Sequence, residues 1–141
     1  MVYSETKLTV ISGYDLDGTI CSETVWRIDG FMYKHFGMLW AFLRHIVAKP
    51  IMRPLENFII ITGRPASDRW YTELWLKMHR IRPKDLYMIP QYGSKITVAN
   101  YKAKMIQDLN LKAYFENDVE IYTQLKILCP NVKIFLVHVK G

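Results

Sequence analysis

Apolar and polar residues follow two different spacings along this chain. Five short stretches are rich in apolar residues and have the length of strands buried in a sheet. They lie near residues 8–14, 58–62, 86–89, 113–116 and 132–137. Apolar residues recur at helical spacing in three other stretches, at residues 66–79, 97–109 and 119–128. Strands that alternate with helices are typical of α/β proteins, so we predict a three-layer α/β/α Rossmann-like fold with a mainly parallel sheet of about five strands.

The segment between the first two strands, residues 20–57, predicts a helical flap or minimal cap. Within it, residues 31–48 are dense in apolar side chains, and residues 36–43 are apolar all round, which implies burial on more than one side. Three interpretations of residues 31–48 are open. They form an ordinary core helix, a contact between the two copies of a homodimer, or a helix at a lipid interface.

The predicted helix at residues 66–79 is amphipathic. Trp70, Leu74, Trp75 and Met78 recur at helical spacing, and we predict that they face the core. Basic residues cluster at the end of this helix and just after it, at Lys77, His79, Arg80, Arg82 and Lys84. Such a cluster is typical of a solvated face that suits the helix dipole, and contact with nucleic acid is the alternative.

Length and composition restrict the class of protein. With 141 residues, half of them apolar and 13% aromatic, the chain predicts one globular domain over residues 1–141. No apolar run is long enough to span a bilayer and no leader pattern opens the sequence, so we predict a cytoplasmic protein without a transmembrane segment. Cys21 and Cys129 form no Cys-x-x-Cys motif and predict free thiols in a reducing compartment. The net charge of +6 favours a phosphate-bearing or nucleic-acid partner.

Two carboxylates follow the first predicted strand directly. Asp15 and Asp17 lie two residues apart, and Gly18 after them lets the backbone turn sharply. Side chains at i and i+2 of a strand point the same way, so both carboxylates are expected together at the strand's carboxyl end, where ligands bind in open α/β sheets. They would repel each other there unless a cation lies between them or one keeps its proton.

This strand with Asp-Leu-Asp-Gly-Thr at residues 15–19 resembles motif I of the haloacid dehalogenase-like hydrolases. The resemblance implies that Asp15 attacks phosphorus and forms an aspartyl-phosphate, while Asp17 acts as general acid and base. It also implies a magnesium ion that joins the carboxylates to the phosphate oxygens. Gly18 and Thr19 then belong to the residues that bind the substrate.

The second strand ends in Thr62-Gly63-Arg64, which resembles motif II of the same family. The resemblance implies that the Thr62 hydroxyl and nearby backbone N–H groups hold a phosphoryl oxygen, with Gly63 permitting close approach. Arg64 adds a guanidinium fork suited to phosphate. The alternative is a structural strand-to-helix turn with a solvent-facing arginine.

Lys102, in the predicted helix at 97–109, resembles the motif III lysine, which steadies the charge on Asp15 and on the phosphoryl group. Lys104 is a nearby rival. Residues two apart on a helix point to nearly opposite sides, so only one of the two lysines can face the site.

The fourth strand runs into Glu116-Asn117-Asp118, which resembles motif IV, where acidic residues at a strand end complete the metal site. The family often has two adjacent aspartates here. Which of the three residues binds the metal stays open, and asparagine would coordinate without adding charge. Asn117 or Asp118 can also cap the helix that follows.

The four motifs occur in the family's order over residues 8–121, with no room for a large cap domain. The sequence therefore predicts a small, capless-type, magnesium-dependent phosphatase that hydrolyses a phosphate monoester. One alternative is a nucleotide or polynucleotide phosphatase of the same fold. Another is a non-catalytic basic module that binds nucleic acid or protein. Cys21 and Arg27 have the spacing of cysteine-dependent phosphatases, but the intervening residues include no glycine to cradle a phosphate, so we set that match aside.

Overall fold

The structure, a computed structural model, describes residues 11–22, 48–54 and 57–138. The apolar stretch at 31–48 lies outside the described residues apart from Ala48, and so does most of the predicted flap at 20–57. The three interpretations of that stretch, including the homodimer contact, therefore stay predictions.

Strands and helices alternate along the described chain. The strands are β1 (Ser12–Tyr14), β2 (Phe58–Pro65), β3 (Leu86–Ile89), β4 (Ala113–Glu116) and β5 (Lys133–Leu136). The helices are a 3-10 turn (Ala66–Asp68), α1 (Arg69–Met78), α2 (Lys95–Asp108) and α3 (Val119–Leu128). Each strand overlaps a predicted apolar stretch and each helix a stretch of helical spacing. The α/β class and the five-stranded sheet are confirmed.

The sheet is parallel throughout, with the strand order β3-β2-β1-β4-β5. The chain builds from β1 outward to β3, then returns to the other side of β1 for β4 and β5. The order reverses between β1 and β4, and in open parallel sheets the crevice beyond the carboxyl ends at such a reversal is where ligands bind. Tyr14, the last residue of β1, lies beside Phe115 of β4, so the chain that leaves β1 emerges at this crevice.

Strand β2 is buried on both faces, as its continuous apolar run predicts. Ile59 and Ile61 of β2 pack into one apolar cluster together with residues of α2 and α3. Phe58 and Ile60 pack into a second cluster that includes residues of α1. This division follows the two-residue period of a strand. Truncating the fully buried Ile60 or Ile61 to alanine would cost about 2–5 kcal/mol of stability.

The prediction for the core face of α1 was wrong in part. Trp75 is 2% exposed, but Trp70, Leu74 and Met78 are 52%, 37% and 55% exposed. The buried face instead consists of Tyr71, Thr72, Trp75 and Leu76. Apolar residues occupy both sides of this helix, so contacts from outside it set its rotation. One such contact is the hydrogen bond from the Trp75 indole N–H to the Ala48 carbonyl oxygen, at 2.8 Å.

Two further expectations can be compared with the structure. Cys21 and Cys129 are both buried and free, which confirms the prediction of unpaired thiols. Within residues 11–22, 48–54 and 57–138, no helix combines the length and the apolar character needed to span a bilayer.

Candidate active site

The turn that follows β1 is held tightly by backbone hydrogen bonds. The Asp15 N–H donates to the Phe115 carbonyl oxygen at 2.9 Å, which fixes Asp15 against β4. The N–H groups of residues 19–21 donate to the Leu16 carbonyl oxygen at 2.9–3.2 Å. Gly18 has a φ of 81°, in the left-handed region that favours glycine. The predicted sharp turn is therefore present, and it fixes the backbone between the two aspartates.

Lys102 reaches the site from α2, and Lys104 does not. The Lys102 Nζ donates to Oδ1 of Asp15 and to Oε1 of Glu116, both at 2.8 Å. Lys102 is 1% exposed and Glu116 is fully buried. Lys104 lies on the exposed side of the helix and pairs with Asp108 at 2.9 Å. The structure thus decides between the two lysines in favour of Lys102.

The buried ammonium of Lys102 forms ion pairs with two buried carboxylates, those of Asp15 and Glu116. Burial raises the pKa of Asp15 well above its ordinary value, the charge of Glu116 raises it further, and Lys102 opposes both. Burial alone would lower the pKa of Lys102, but Asp15 and Glu116 outweigh it and raise that pKa. The Tyr114 ring lies 5.8 Å from the ammonium and adds a cation–π contact. Lys102 therefore stays charged at neutral pH.

Arg64 holds Asp17 on the other side of the turn. Its Nε donates to Oδ2 of Asp17 at 2.9 Å, and its Nη2 donates to Oδ1 at 2.6 Å. Its Nη1 donates to the Thr72 hydroxyl oxygen at 3.0 Å. Burial alone would lower the pKa of Arg64, but the Asp17 carboxylate raises it. The guanidinium fork that was expected to hold a phosphate, or to face solvent, is buried and holds a carboxylate.

Gly18, Thr19 and Thr62 are buried as well, and Gly63 is partly buried. The Thr62 hydroxyl oxygen accepts a hydrogen bond from the Arg64 backbone N–H at 3.1 Å. A Cβ on Gly63 would lie 3.0 Å from Cγ1 of Val98, so the close approach that Gly63 allows is to α2. Thr19 is fully buried, and its Oγ1 has no hydrogen-bond partner in the described ranges.

Glu116 has an internal role in the motif IV segment. Its Oε1 accepts the hydrogen bond from Lys102, and its Oε2 accepts from the backbone N–H groups of Asn117 and Asp118, both at 3.1 Å. Both oxygens of this fully buried carboxylate are thus engaged by the protein. Glu116 anchors Lys102 and the turn after β4.

Asp118 caps α3, which decides between the two predicted capping residues. Its Oδ1 accepts from the Ile121 N–H at 3.1 Å, and its Oδ2 lies 3.1 Å from the Lys95 Nζ. Partial burial would raise the pKa of Asp118, but the bonds from Ile121 and Lys95 lower it. Asp118 is half-buried at the edge of the site, and Asn117 beside it is also partly accessible.

Several of the predicted magnesium ligands pair with cationic side chains. Carboxylate oxygens are the donors that magnesium prefers, so the residue types are suitable. However, no three or more carboxylate, imidazole or thiol groups within residues 11–22, 48–54 and 57–138 are arranged to hold a metal ion. The predicted acidic ligands instead hold cationic side chains, Asp15 and Glu116 around Lys102 and Asp17 against Arg64. The predicted ligands Asp15, Asp17, Glu116 and Asp118 thus do not form one cluster of acidic donors, and the predicted ligand Asn117 carries no charge.

Sequence reasoning missed two residues that support the site. Thr72 binds Arg64 from α1, and the signal for it was a hydroxyl on the same helix face as Tyr71 and Trp75. Tyr114 lies under Lys102, and its hydroxyl donates to the Ile61 carbonyl oxygen at 2.9 Å. Nothing in the local sequence of β4 indicates that contact, because its partner lies on another strand.

No family model matches this chain, and neither a curated protein nor a solved structure matches it. The functional conclusion therefore depends on the motifs and on the geometry of the site.

Proposed function

We propose that this protein is a phosphate monoester hydrolase of the haloacid dehalogenase-like type, with Asp15 as its nucleophile. The observation that carries the proposal is the cluster at the carboxyl end of β1. Asp15, Asp17, Lys102 and Arg64 come from three separate segments of the chain and form two adjoining ion pairs there. The cluster lies where the strand order reverses, which is where a parallel sheet binds its ligand.

Asp15 has one oxygen available for chemistry. Its Oδ1 is bonded to Lys102, and no described residue bonds to its Oδ2. In the first step Oδ2 attacks phosphorus, and the bond from phosphorus to the ester oxygen breaks. The electron pair leaves with that oxygen and takes a proton from Asp17, so an alcohol departs. The ion pair with Arg64 favours the Asp17 carboxylate, so this step uses the fraction of molecules in which Asp17 carries its proton. Lys102 stabilises the negative charge near Asp15 throughout.

The second step regenerates the enzyme. A water molecule attacks the phosphorus of the aspartyl-phosphate, and the Asp17 carboxylate takes a proton from it. The bond from phosphorus to Oδ2 breaks, so Asp15 returns to its carboxylate form and inorganic phosphate is released. Asp17 regains the proton that it gave in the first step. The magnesium requirement implied by the motifs is part of the proposal, but no step here depends on a metal.

A turnover assay tests the proposal. Purified protein is incubated with p-nitrophenyl phosphate and magnesium, and the wild type is compared with Asp15→Asn. We expect turnover by the wild type and a loss on the order of a thousandfold or more in the variant, because the nucleophile is gone. Full activity in Asp15→Asn would show that Asp15 is not the nucleophile.

A basic groove supports a second candidate, a phosphatase or binding module for nucleic acid. The groove has a volume of about 380 Å³ and lies between α1 and the segment that precedes β3. Its charged lining consists of Arg69, Lys77, Arg82, Lys84, Glu73 and Asp85. Arg69 pairs with Glu73, whereas no ion pair joins Lys77, Arg82 or Lys84 to any residue that the structure describes. Those unpaired cations suit the phosphates of a nucleic-acid backbone.

Oligonucleotide binding tests the second candidate. We expect a labelled single-stranded oligonucleotide to bind with an affinity that falls as salt rises. Removing three phosphate contacts through Lys77→Ala, Arg82→Ala and Lys84→Ala would reduce the slope of log affinity against log salt by about two. The control replaces three exposed lysines outside the groove, Lys104, Lys112 and Lys133, by alanine. Equal effects of both triple variants would show that net charge alone attracts the oligonucleotide.

A further inference from the structure

Arg64 lies behind Asp17, away from solvent. The Arg64 side chain is 6% exposed, whereas that of Asp17 is 37% exposed. Two parallel hydrogen bonds join them, from Nε to Oδ2 and from Nη2 to Oδ1. A bidentate pair fixes both the position and the plane of a carboxylate, which a single contact does not. The exposed part of Asp17 is thereby held in one orientation.

Thr72 holds Arg64 in turn. Its hydroxyl donates to the Asp68 carbonyl oxygen at 2.8 Å and accepts from Nη1 of Arg64 at 3.0 Å. Thr72 is 1% exposed and lies on the buried face of α1. A chain of polar contacts therefore runs from a packed helix through Thr72 and Arg64 to Asp17.

We infer that Arg64 is a positioning residue, which orients the Asp17 carboxylate for proton transfer and does not bind the phosphate itself. The inference depends on the proposed function, in which Asp17 moves the proton. All three guanidinium nitrogens of Arg64 already have protein partners. A phosphate could use only an N–H group that these partners leave over, on a side chain that is 6% exposed.

The choice of leaving group distinguishes a role of Arg64 in orienting Asp17 from a role in folding or in phosphate binding. An alkoxide is a strong base and departs readily only when it is protonated, whereas p-nitrophenolate departs without that help. A general acid therefore contributes much more to the hydrolysis of an alkyl phosphate than to that of p-nitrophenyl phosphate. The ratio kcat/KM covers the steps up to departure of the leaving group, so it isolates this contribution from the later hydrolysis of the aspartyl-phosphate.

The experiment measures kcat/KM for p-nitrophenyl phosphate and for the phosphate ester of a simple aliphatic alcohol. The proteins are the wild type, Arg64→Ala, Arg64→Lys and the control Lys104→Ala. Loss of the guanidinium favours the protonated form of Asp17, but a carboxyl without the fork is no longer held in one orientation toward the ester oxygen. We expect the loss of orientation to dominate, so that Arg64→Ala lowers kcat/KM for the alkyl ester at least about tenfold more than for the aryl ester across the pH range in which the wild type is active. Arg64→Lys, which keeps the charge but loses the fork, falls between Arg64→Ala and the wild type. Lys104→Ala behaves as the wild type.

Two results would contradict the inference about Arg64 without contradicting the proposed function. An equal loss for both esters would show that Arg64 acts on folding or on the phosphoryl group. If the loss is equal for both esters and inorganic phosphate also inhibits Arg64→Ala less strongly than the wild type, then Arg64 binds the phosphate directly. If the wild type turns over neither ester, or Asp15→Asn retains activity, the proposed function fails and the inference fails with it. The two failures are therefore distinguishable.

Thr72→Val provides the same test if Arg64→Ala does not fold. Valine keeps nearly the same volume as threonine but cannot accept from Arg64, so the guanidinium loses one of its supports. We expect a loss in the same direction as for Arg64→Ala, larger for the alkyl than for the aryl ester. An equal loss for the two esters in Thr72→Val would contradict the inference.

Discussion

The Lys102 ammonium lies 2.8 Å from Oδ1 of Asp15, although the two residues are 87 positions apart in the sequence. The parallel sheet brings them together, because β1 ends at Asp15 and α2 packs against the strands beside it. Glu116 shares the same ammonium. A single positive charge thus compensates two carboxylates that have almost no access to water.

Removing Lys102 is expected to destabilise the protein strongly. Lys102→Met leaves Asp15 and Glu116 buried without their cation, which costs about 3–5 kcal/mol of unfolding free energy. The matched control Lys104→Met alters an exposed pair on the same helix and stays within about 0.5 kcal/mol. Urea denaturation followed by circular dichroism measures both variants. Similar losses for the two lysines would contradict the buried cluster.

The acidic limb of the activity profile is expected above the ordinary aspartate value of 3.8, because burial and the charge of Glu116 raise the pKa of Asp15. Asp15 must lose its proton to attack, so kcat/KM rises as the pH passes through that raised pKa. Glu116→Gln removes one of the two main causes and frees Lys102 for Asp15, and both changes lower the pKa of Asp15. The limb should therefore move to lower pH. A limb that stays in place or moves upward in Glu116→Gln would be inconsistent with this assignment.

Asp118 is expected to stabilise α3 in a pH-dependent way. Asp118→Ala removes the cap and should cost about 1 kcal/mol at neutral pH, while Asp118→Asn keeps the acceptor oxygen and costs less. The pKa of Asp118 is lowered in the folded state, so its contribution is present above 3.8 and is lost as the pH falls below that value. Unfolding curves of wild type and Asp118→Ala should converge in acid. A difference that persists unchanged at pH 2–3 would refute the role of the carboxylate charge.

Magnesium is expected to be required but weakly bound. The proposed phosphatase chemistry includes the ion, while cationic side chains hold the carboxylates of Asp15 and Asp17 in the structure. A binding ion must compete with those cations, so we expect activity to require a large excess of magnesium over protein. Titration of a metal-stripped sample with magnesium, with calcium as the comparison, measures this. Undiminished turnover in excess chelator would show that Lys102 and Arg64 suffice to compensate the negative charges of the aspartates and the phosphate.

The fold and part of the site were predictable because their signals are local. A short continuous apolar run such as residues 58–62 is typical of a strand buried on both faces, and helix geometry limited the motif III choice to one of two lysines. Contacts between distant segments were not predictable. The chain around Arg64 does not indicate Asp17 as its partner, 47 positions away, and a guanidinium fork suits a phosphate as well as a carboxylate. The prediction of the buried side of α1 was wrong in part for the same reason, because packing against neighbouring elements selects that side.

The central claim is that Asp15 becomes phosphorylated, and trapping the intermediate tests it most directly. The protein is mixed with p-nitrophenyl phosphate, quenched in acid within the first turnover and digested for mass spectrometry. We predict a phosphoryl group on the peptide that contains Asp15, its accumulation in Asp17→Asn, and its absence in Asp15→Asn. A phosphoryl group on another residue, or turnover in Asp15→Asn without any adduct, would contradict the account.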